Sequence, residues 1–286
     1  MSFPTHVAPT HVAPTHAAPT HAAEISAHTV VVLHAHPDDE AIFTGLTVRR
    51  LADAGARVVV VTATDGAAGI PRVRLVRGET LRRRRLAELE RACELLGAAR
   101  LVVLGHADSG AHPGPYRRGT LGAAEPARVA REVARVADAE GAATLVHDDA
   151  RGIYPHVDHL QVHRAGALVV GRLGLTGDEA TVDAAALRAG PRHVLQGAAG
   201  DDLDVGVPAA QISVTVRAGV ADLLAKMAAM AAHASQIGPA DLHPVDFAAA
   251  YGREWFVRRS AVPGVLDALD ALPAGERGRE SRLQPV

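Results

Sequence analysis

Thr29-Val30-Val31-Val32-Leu33-His34-Ala35-His36-Pro37-Asp38-Asp39-Glu40 is a β-branched apolar run that breaks off into a histidine, a proline and a cluster of acids. A run of that kind reads as a strand buried on both faces, the habit of parallel sheets covered by helices. His36, Asp38 and Asp39 then stand on the loop at its C-terminal end, where α/β sheets bind ligands. Histidine and aspartate both ligate zinc, but a catalytic zinc needs three protein ligands and a position open to water. This loop therefore calls for a partner elsewhere, and Tyr154-Pro155-His156-Val157-Asp158-His159 is where the chain offers one.

Outward from this stretch, strands and helices alternate. Residues 30–33 lead to a helix over about 40–54 that Gly55 ends, then to a strand over 57–62 running into Thr64-Asp65-Gly66. A helix over 79–96, stopped by Gly97, precedes a strand over 101–104. A helix over 126–139, opened by Pro126, precedes a strand over 144–147, and another helix spans 160–173. Such a series makes right-handed βαβ crossovers, so the fold class is α/β: a Rossmann-like, mostly parallel sheet with helices on both faces. Beyond it the pattern predicts a small strand and helix extension. Its strands lie near 193–195, 212–216 and 255–257, its helix over 220–234, and 174–191 is rich in loop. The polar strings 36–40, 64–69, 107–110 and 148–159 each follow a predicted strand, so all four converge on one sheet edge.

At 286 residues, 48% hydrophobic and 22% charged, the chain suffices for one large core. The single domain is expected over 25–273, between a low-complexity tail at 1–24 and a flexible terminus at 274–286. The tail repeats Pro-Thr-His-Val/Ala-Ala, with histidines at His6, His11, His16 and His21. Its regular prolines prevent a continuous helix, and its small side chains do not offset the entropy of ordering. A net charge of −2 and a pI near 6.8 exclude bulk electrostatic attraction to nucleic acid or to an anionic membrane. A small molecule is the expected partner, with a homo-oligomer left open. With no secretory leader pattern and no apolar stretch of roughly 18 residues, cytoplasmic residence is expected. Heavy use of Ala, Gly and Arg is typical of GC-rich bacterial genomes. Cys93 falls in a helical apolar pattern and reads as a small buried hydrophobe.

Taken together, Ala35-His36-Pro37-Asp38-Asp39-Glu40 and His156-Val157-Asp158-His159 resemble the LmbE-like, or PIG-L, family of zinc-dependent deacetylases. That family is marked by Ala-His-Pro-Asp-Asp-Glu and a later His-x-Asp-His. Between the two, residues 62–69 are similar to its Thr-x-Thr-x-Gly-Glu-x-Gly string, and Arg85-Leu86-Ala87-Glu88 to its Arg-x-x-Glu helix. Asp108-Ser109-Gly110 is similar to a string of the mycothiol-pathway members. The resemblance runs from about 30 to 173, and more weakly through Lys226, His233, Ser235-Gln236 and Glu254-Trp255-Phe256.

The resemblance implies that His36, Asp39 and His159 hold zinc, with iron or another divalent cation as the alternative, and that Asp38 is the general base. It also implies that His156, kept cationic by Asp158, meets the developing oxyanion with the Tyr154 hydroxyl, while Arg85 and Asp108 contact substrate. The activity implied is hydrolysis of a linear amide, removing acetyl from an N-acylated amino sugar of N-acetylglucosamine type. An amidase acting on a larger, mycothiol-type conjugate and a metal-binding protein without catalysis are the alternatives. A nucleotide-binding protein is disfavoured, because no glycine-rich turn follows the first strand. Ala67 replaces a glutamate common in the family, and Ala107 and Ala111 flank Asp108-Ser109-Gly110 where arginine and methionine are common. These departures mark a relative of the mycothiol enzymes rather than the same enzyme.

Plainer readings stand beside these. Asp38 or Glu40 alone suits a helix N-terminus. His163, one turn after His159, reads as solvated or supporting, and His147 as a core or pocket-lining histidine. Arg72, Arg74, Arg77 and Arg82 to Arg84 read as a solvated face, and loops 71–80 and 111–124 as the rim of the cleft.

Overall fold

Short helix α1 (His21–Ser26), which begins on the last histidine of the repeat, leads into β1 (Thr29–His34). Val30 and Val32 join the core on one side of this strand, Val31 and Leu33 the core on the other, and all four are fully buried. The period of two along a doubly covered strand accounts for the uninterrupted apolar run. β2 (Arg57–Thr64) divides in the same way, Val58 and Val60 against Val59 and Val61. The computed structural model describes residues 21–111, 114, 116–191, 193–199, 205–260 and 263–272. Of the tail expected to be mobile over 1–24, residues 21–24 instead lie in α1, and 1–20, like the terminus at 274–286, fall outside the described residues.

β3 (Arg100–His106), β4 (Thr144–Asp148) and β5 (Thr176–Thr181) complete a parallel sheet with β1 and β2. β6 (Val214–Arg217) and β7 (Arg253–Arg258) extend it through antiparallel pairings, in the order β3-β2-β1-β4-β5-β7-β6. Helices α2 (Asp39–Phe43), α3 (Gly45–Asp53) and α4 (Leu81–Leu96) cover one face, and α5 (Pro126–Ala139) and α6 (Val157–Leu173) the other. α7 (Ala184–Ala189) and α8 (Val194–Ala199) follow β5. α9 (Val220–Ala232) then returns to pack on α3 and α4, α10 (Pro244–Tyr251) precedes β7, and α11 (Val265–Ala271) closes against α1. The helix ends follow the local signals: the Thr80 hydroxyl caps α4 by accepting from Arg83 N, and Gly97 stops it at φ 80°. Among the described residues no helix is long and apolar enough to cross a membrane.

Three local expectations are corrected. The helix expected over 40–54 is broken at Thr44. Buried Glu254 of β7 accepts from Leu46 N, Thr47 N and the Thr47 hydroxyl at 2.7–2.8 Å, which caps a fresh helix start. Second, 174–191 holds a strand and a helix rather than mostly loop. β5 reads Thr-Gly-Asp-Glu-Ala-Thr, without an apolar run, and its buried Asp178 is paired with Arg258 at 2.7 Å. Third, the strand expected near 193–195 is the start of α8.

Lys226 of α9 meets Glu254 at 2.6 Å with both side chains buried, so the pair ties the C-terminal part of the chain to α3. Burial pushes the Lys226 ammonium below its ordinary range, against the pull of Glu254. Removing one partner of such a pair strands a charge in the core, so Lys226→Met is expected to cost about 3–5 kcal/mol in urea unfolding. Adding Glu254→Gln should recover part of that loss.

Candidate metal centre

The loops after β1, β2, β3 and β4 meet at the C-terminal edge of the sheet, as the strand pattern predicts. Parallel pairing of β1 with β2 and β4 sets the loop at 35–38 beside both the 65–69 loop and the 149–156 loop. His36, Asp39 and His159 come together there, their ligand atoms all within 4.8 Å and their side chains buried. His36 Nδ1 lies 3.6 Å and His159 Nε2 3.5 Å from Asp39 Oδ2. Ligands arranged tetrahedrally at zinc bond lengths of roughly 2.0–2.1 Å sit about 3.3 Å apart, so the three fit one cation with little movement. His159 Nε2 is also buried without a hydrogen-bond partner among the described residues, which suits an atom whose partner is a metal.

The far side of each imidazole faces a carboxylate. His159 Nδ1 lies 2.7 Å from Asp148 Oδ2, and Asp148 Oδ1 takes a hydrogen bond from His34 Nδ1 at 2.8 Å. His36 Nε2 faces Asp158 at 3.3 Å and Asp108 at 3.6 Å. Carboxylates so placed fix ring orientation and make the ligating nitrogens more basic. Burial opposes charge on His36 and His159, yet the surrounding aspartates hold both above the ordinary histidine range. Asp39 runs the other way: burial opposes its charge, but His159 and His36 keep its carboxyl below the usual carboxylate range. The pocket is thus built for positive charge.

Asp38 occupies the residue before α2, but its carboxylate makes no capping bond, so the plainer reading of a helix cap fails for Asp38 and holds only for Glu40, which accepts from the N–H of that residue. Its Oδ2 lies 3.2 Å from Arg85 Nη2. Burial pushes its carboxyl up to about 6, against the Arg85 guanidinium and with the help of neighbouring Asp39. The backbone at Asp38 has φ 120°, a conformation that costs a non-glycine residue of order 1–3 kcal/mol. Glu40 accepts from Asp38 N at 3.0 Å, and His233 meets the other oxygen of Glu40 at 2.6 Å.

The oxyanion side departs from expectation. The Asp158 carboxylate makes no hydrogen bond to His156 among the described residues. It accepts from Ser109 N and Oγ at 2.9 and 2.5 Å and faces His36, whereas the backbone N–H of Asp158 donates to His156 Nδ1 at 3.2 Å. Burial, followed by the charges of His36 and His159, pushes His156 down to about 4, so at neutral pH it is a neutral ring carrying its proton on Nε2. Tyr154 packs its ring 4.7 Å from that of His159, and burial pushes its phenol up, so it stays protonated.

Arg85 and Asp108, expected to contact substrate, are 3% and 9% exposed and are employed within the protein. Arg85 donates to Gly66 O at 2.9 Å and Pro37 O at 2.6 Å, and a Cβ on Gly66 or Gly69 would lie within 2.8 Å of its guanidinium. Asp108 accepts from Gly110 N and Ala68 N. His163 turns to Asp148 O at 3.2 Å, away from the centre, and His147 packs against it as a core histidine, over Gly166. Asp148, His34 and Ser109 were missed as site residues. Their only signal was position, at strand ends or in the strings that follow them.

The PIG-L family model, described as GlcNAc-PI de-N-acetylase, matches residues 31–170. A 1D-myo-inositol 2-acetamido-2-deoxy-alpha-D-glucopyranoside deacetylase of Thermobispora bispora is 32% identical, over 87% of this chain and 93% of its own length. Among solved structures, a deacetylase of the teicoplanin biosynthesis pathway shares the fold with a TM-score of 0.58, at 18% identity over 82% of this chain and all of that one (100%). The N,N'-diacetylchitobiose deacetylase of Pyrococcus horikoshii does so with a TM-score of 0.52, at 18% identity over 80% and 83%. With both signature strings meeting at one buried centre, and a relative of this identity along most of its length, the chain belongs to the PIG-L family.

Proposed function

We propose that this protein is a metal-dependent deacetylase that hydrolyses the N-acetyl amide of a glucosamine-type sugar, with glucosaminyl inositol as the substrate class. The observation that carries the reading is the triangle of His36 Nδ1, Asp39 Oδ2 and His159 Nε2 with a half-buried carboxylate, Asp38, beside it, paired with Arg85. The Thermobispora bispora relative, named for such a substrate and aligned along most of both chains, supports the substrate class. Zinc is the cation assigned, since two imidazoles and one carboxylate suit it and leave a position open to water; the same donor set also takes iron(II). Held by His36, Asp39 and His159, it would supply Lewis acidity toward the amide carbonyl and a lowered pKa for the attacking water.

The remaining work falls to side chains. Asp38 takes the proton of the attacking water and returns it to the departing amine, and a carboxyl raised to about 6 serves both directions near neutrality. Arg85 aims it through an ion pair at 3.2 Å. His156 donates from Nε2 to the oxygen that gains charge, a hydrogen bond worth more in a site that excludes water. Ser109 and Asp158 hold His36 in register.

Asp38→Ala is expected to lower acetate release from N-acetylglucosaminyl inositol by about 10²–10⁴-fold while leaving bound metal nearly intact. His159→Ala should lose both. Asp148→Asn, which weakens the group behind His159, should cost about 10–100-fold in metal affinity by competition with a chelator. If Asp38→Ala kept most of the activity, another group would be the base.

A further inference from the structure

Glu40 and His233 form a fully buried pair, both 0% exposed; Glu40 follows Asp39 in the chain, but neither side chain belongs to the candidate ligand set. They are 193 residues apart in sequence, and His233 sits just past the C-terminal end of α9. What the pair does touch is the backbone of Asp38. Glu40 Oε2 accepts from Asp38 N at 3.0 Å, while Glu40 Oε1 is held by His233 Nε2 at 2.6 Å. Asp38 is one of two non-glycine residues at positive φ among the described residues. Such a conformation persists only where the surroundings over-determine it. A carboxylate two residues ahead, locked by a buried imidazole, is such a determinant.

The His233 turn is itself fixed. Gln236 N and Ile237 N donate to His233 O at 2.9 and 2.8 Å, and Ser235 donates through N and Oγ to Glu88 of α4 at 3.1 and 2.6 Å. α4 also carries Arg85, whose guanidinium reaches the Asp38 carboxylate and Pro37 O. One rigid unit, α4 joined to the end of α9, therefore holds Asp38 from two sides: Arg85 at the side chain, and His233 through Glu40 at the backbone.

We propose that His233 and Glu40 are positioning residues, which fix the backbone of Asp38 in its positive-φ conformation and so aim its carboxylate at the attacking water. This rests on the reading of Asp38 as the base. A misplacement of about 1 Å in a reacting group costs on the order of 10²-fold in rate. Loss of the pair should therefore appear in kcat and leave substrate binding and the metal unaffected.

The test compares His233→Leu, His233→Asn and His233→Gln in the full-length, metal-loaded protein, measuring kcat, KM and bound metal with N-acetylglucosaminyl inositol. Gln keeps an N–H donor that reaches Glu40, whereas Asn is too short and Leu has none. The expected result is a kcat about 10–100-fold lower for Leu and Asn, with KM and metal content within about twofold, and Gln within about threefold of the parent. Should Leu fail to fold, the contrast of Asn with Gln carries the test. In an Asp38→Ala background, Asn should add nothing to the loss. Equal kcat in Asn and Gln, a multiplied loss in the double variant, or metal lost in step with kcat would overturn the proposal while Asp38→Ala alone stayed inactive. An active Asp38→Ala would instead remove the reading of Asp38 on which it rests.

Discussion

Asp148, at the end of β4, carries one buried carboxylate to which both halves of the centre are attached: its Oδ1 takes His34 of β1, and its Oδ2 faces His159 of α6. The parallel pairing of β1 with β4 makes this contact possible, and the contact turns sheet topology into site geometry. His159 acquires a fixed ring plane with Nε2 toward Asp39. Burial opposes charge on Asp148, but His159 and His34 keep it ionised, and burial opposes charge on His34, which Asp148 nonetheless sustains. His34 Nε2 in turn bonds the Thr44 hydroxyl at 2.9 Å, at the break between α2 and α3. The candidate ligand triad, the helix break and the strand ladder thus share one anchor.

Around that anchor the protein concentrates what most folds avoid. Asp39, Asp108, Asp148 and Asp158 are buried, Asp38 is half-buried beside them, and each is held differently. Asp158 is met by two Ser109 donors, Asp108 by backbone N–H groups, Asp39 by His36 N at 2.7 Å, and Asp38 by Arg85. An unpaired buried charge costs several kcal/mol, so these partners are the condition for the site to exist. Asp38, paired with Arg85 and at φ 120°, is the most strained of the five, as befits a group kept ready for proton transfer.

Much of this was legible in the sequence, for identifiable reasons. The valine runs at β1 and β2, the stops at Gly55 and Gly97 and the start at Pro126 are local signals, and local signals suffice for a βαβ series. They also put the four polar strings on one edge. What escaped was set by distant partners. β5 is polar and is held in place by Arg258, 80 residues away; α3 starts where it does because of Glu254, 207–208 residues away. The assignment of Asp158 to His156 followed the family resemblance, but Ser109, 49 residues off, takes the carboxylate. Arg85 has the register of a substrate contact and the surroundings of a buttress.

The central claim is that two imidazoles and one carboxylate, drawn from the loop after β1 and the start of α6, form the metal centre. X-ray absorption of the zinc-loaded protein, with the repeat histidines His6, His11, His16 and His21 replaced by glutamine, tests it most directly. The account predicts light-atom ligands at about 2.0–2.1 Å with two imidazoles, falling to one imidazole or to no bound zinc in His159→Ala. Three or more imidazoles, or a spectrum unchanged by His159→Ala, would contradict it.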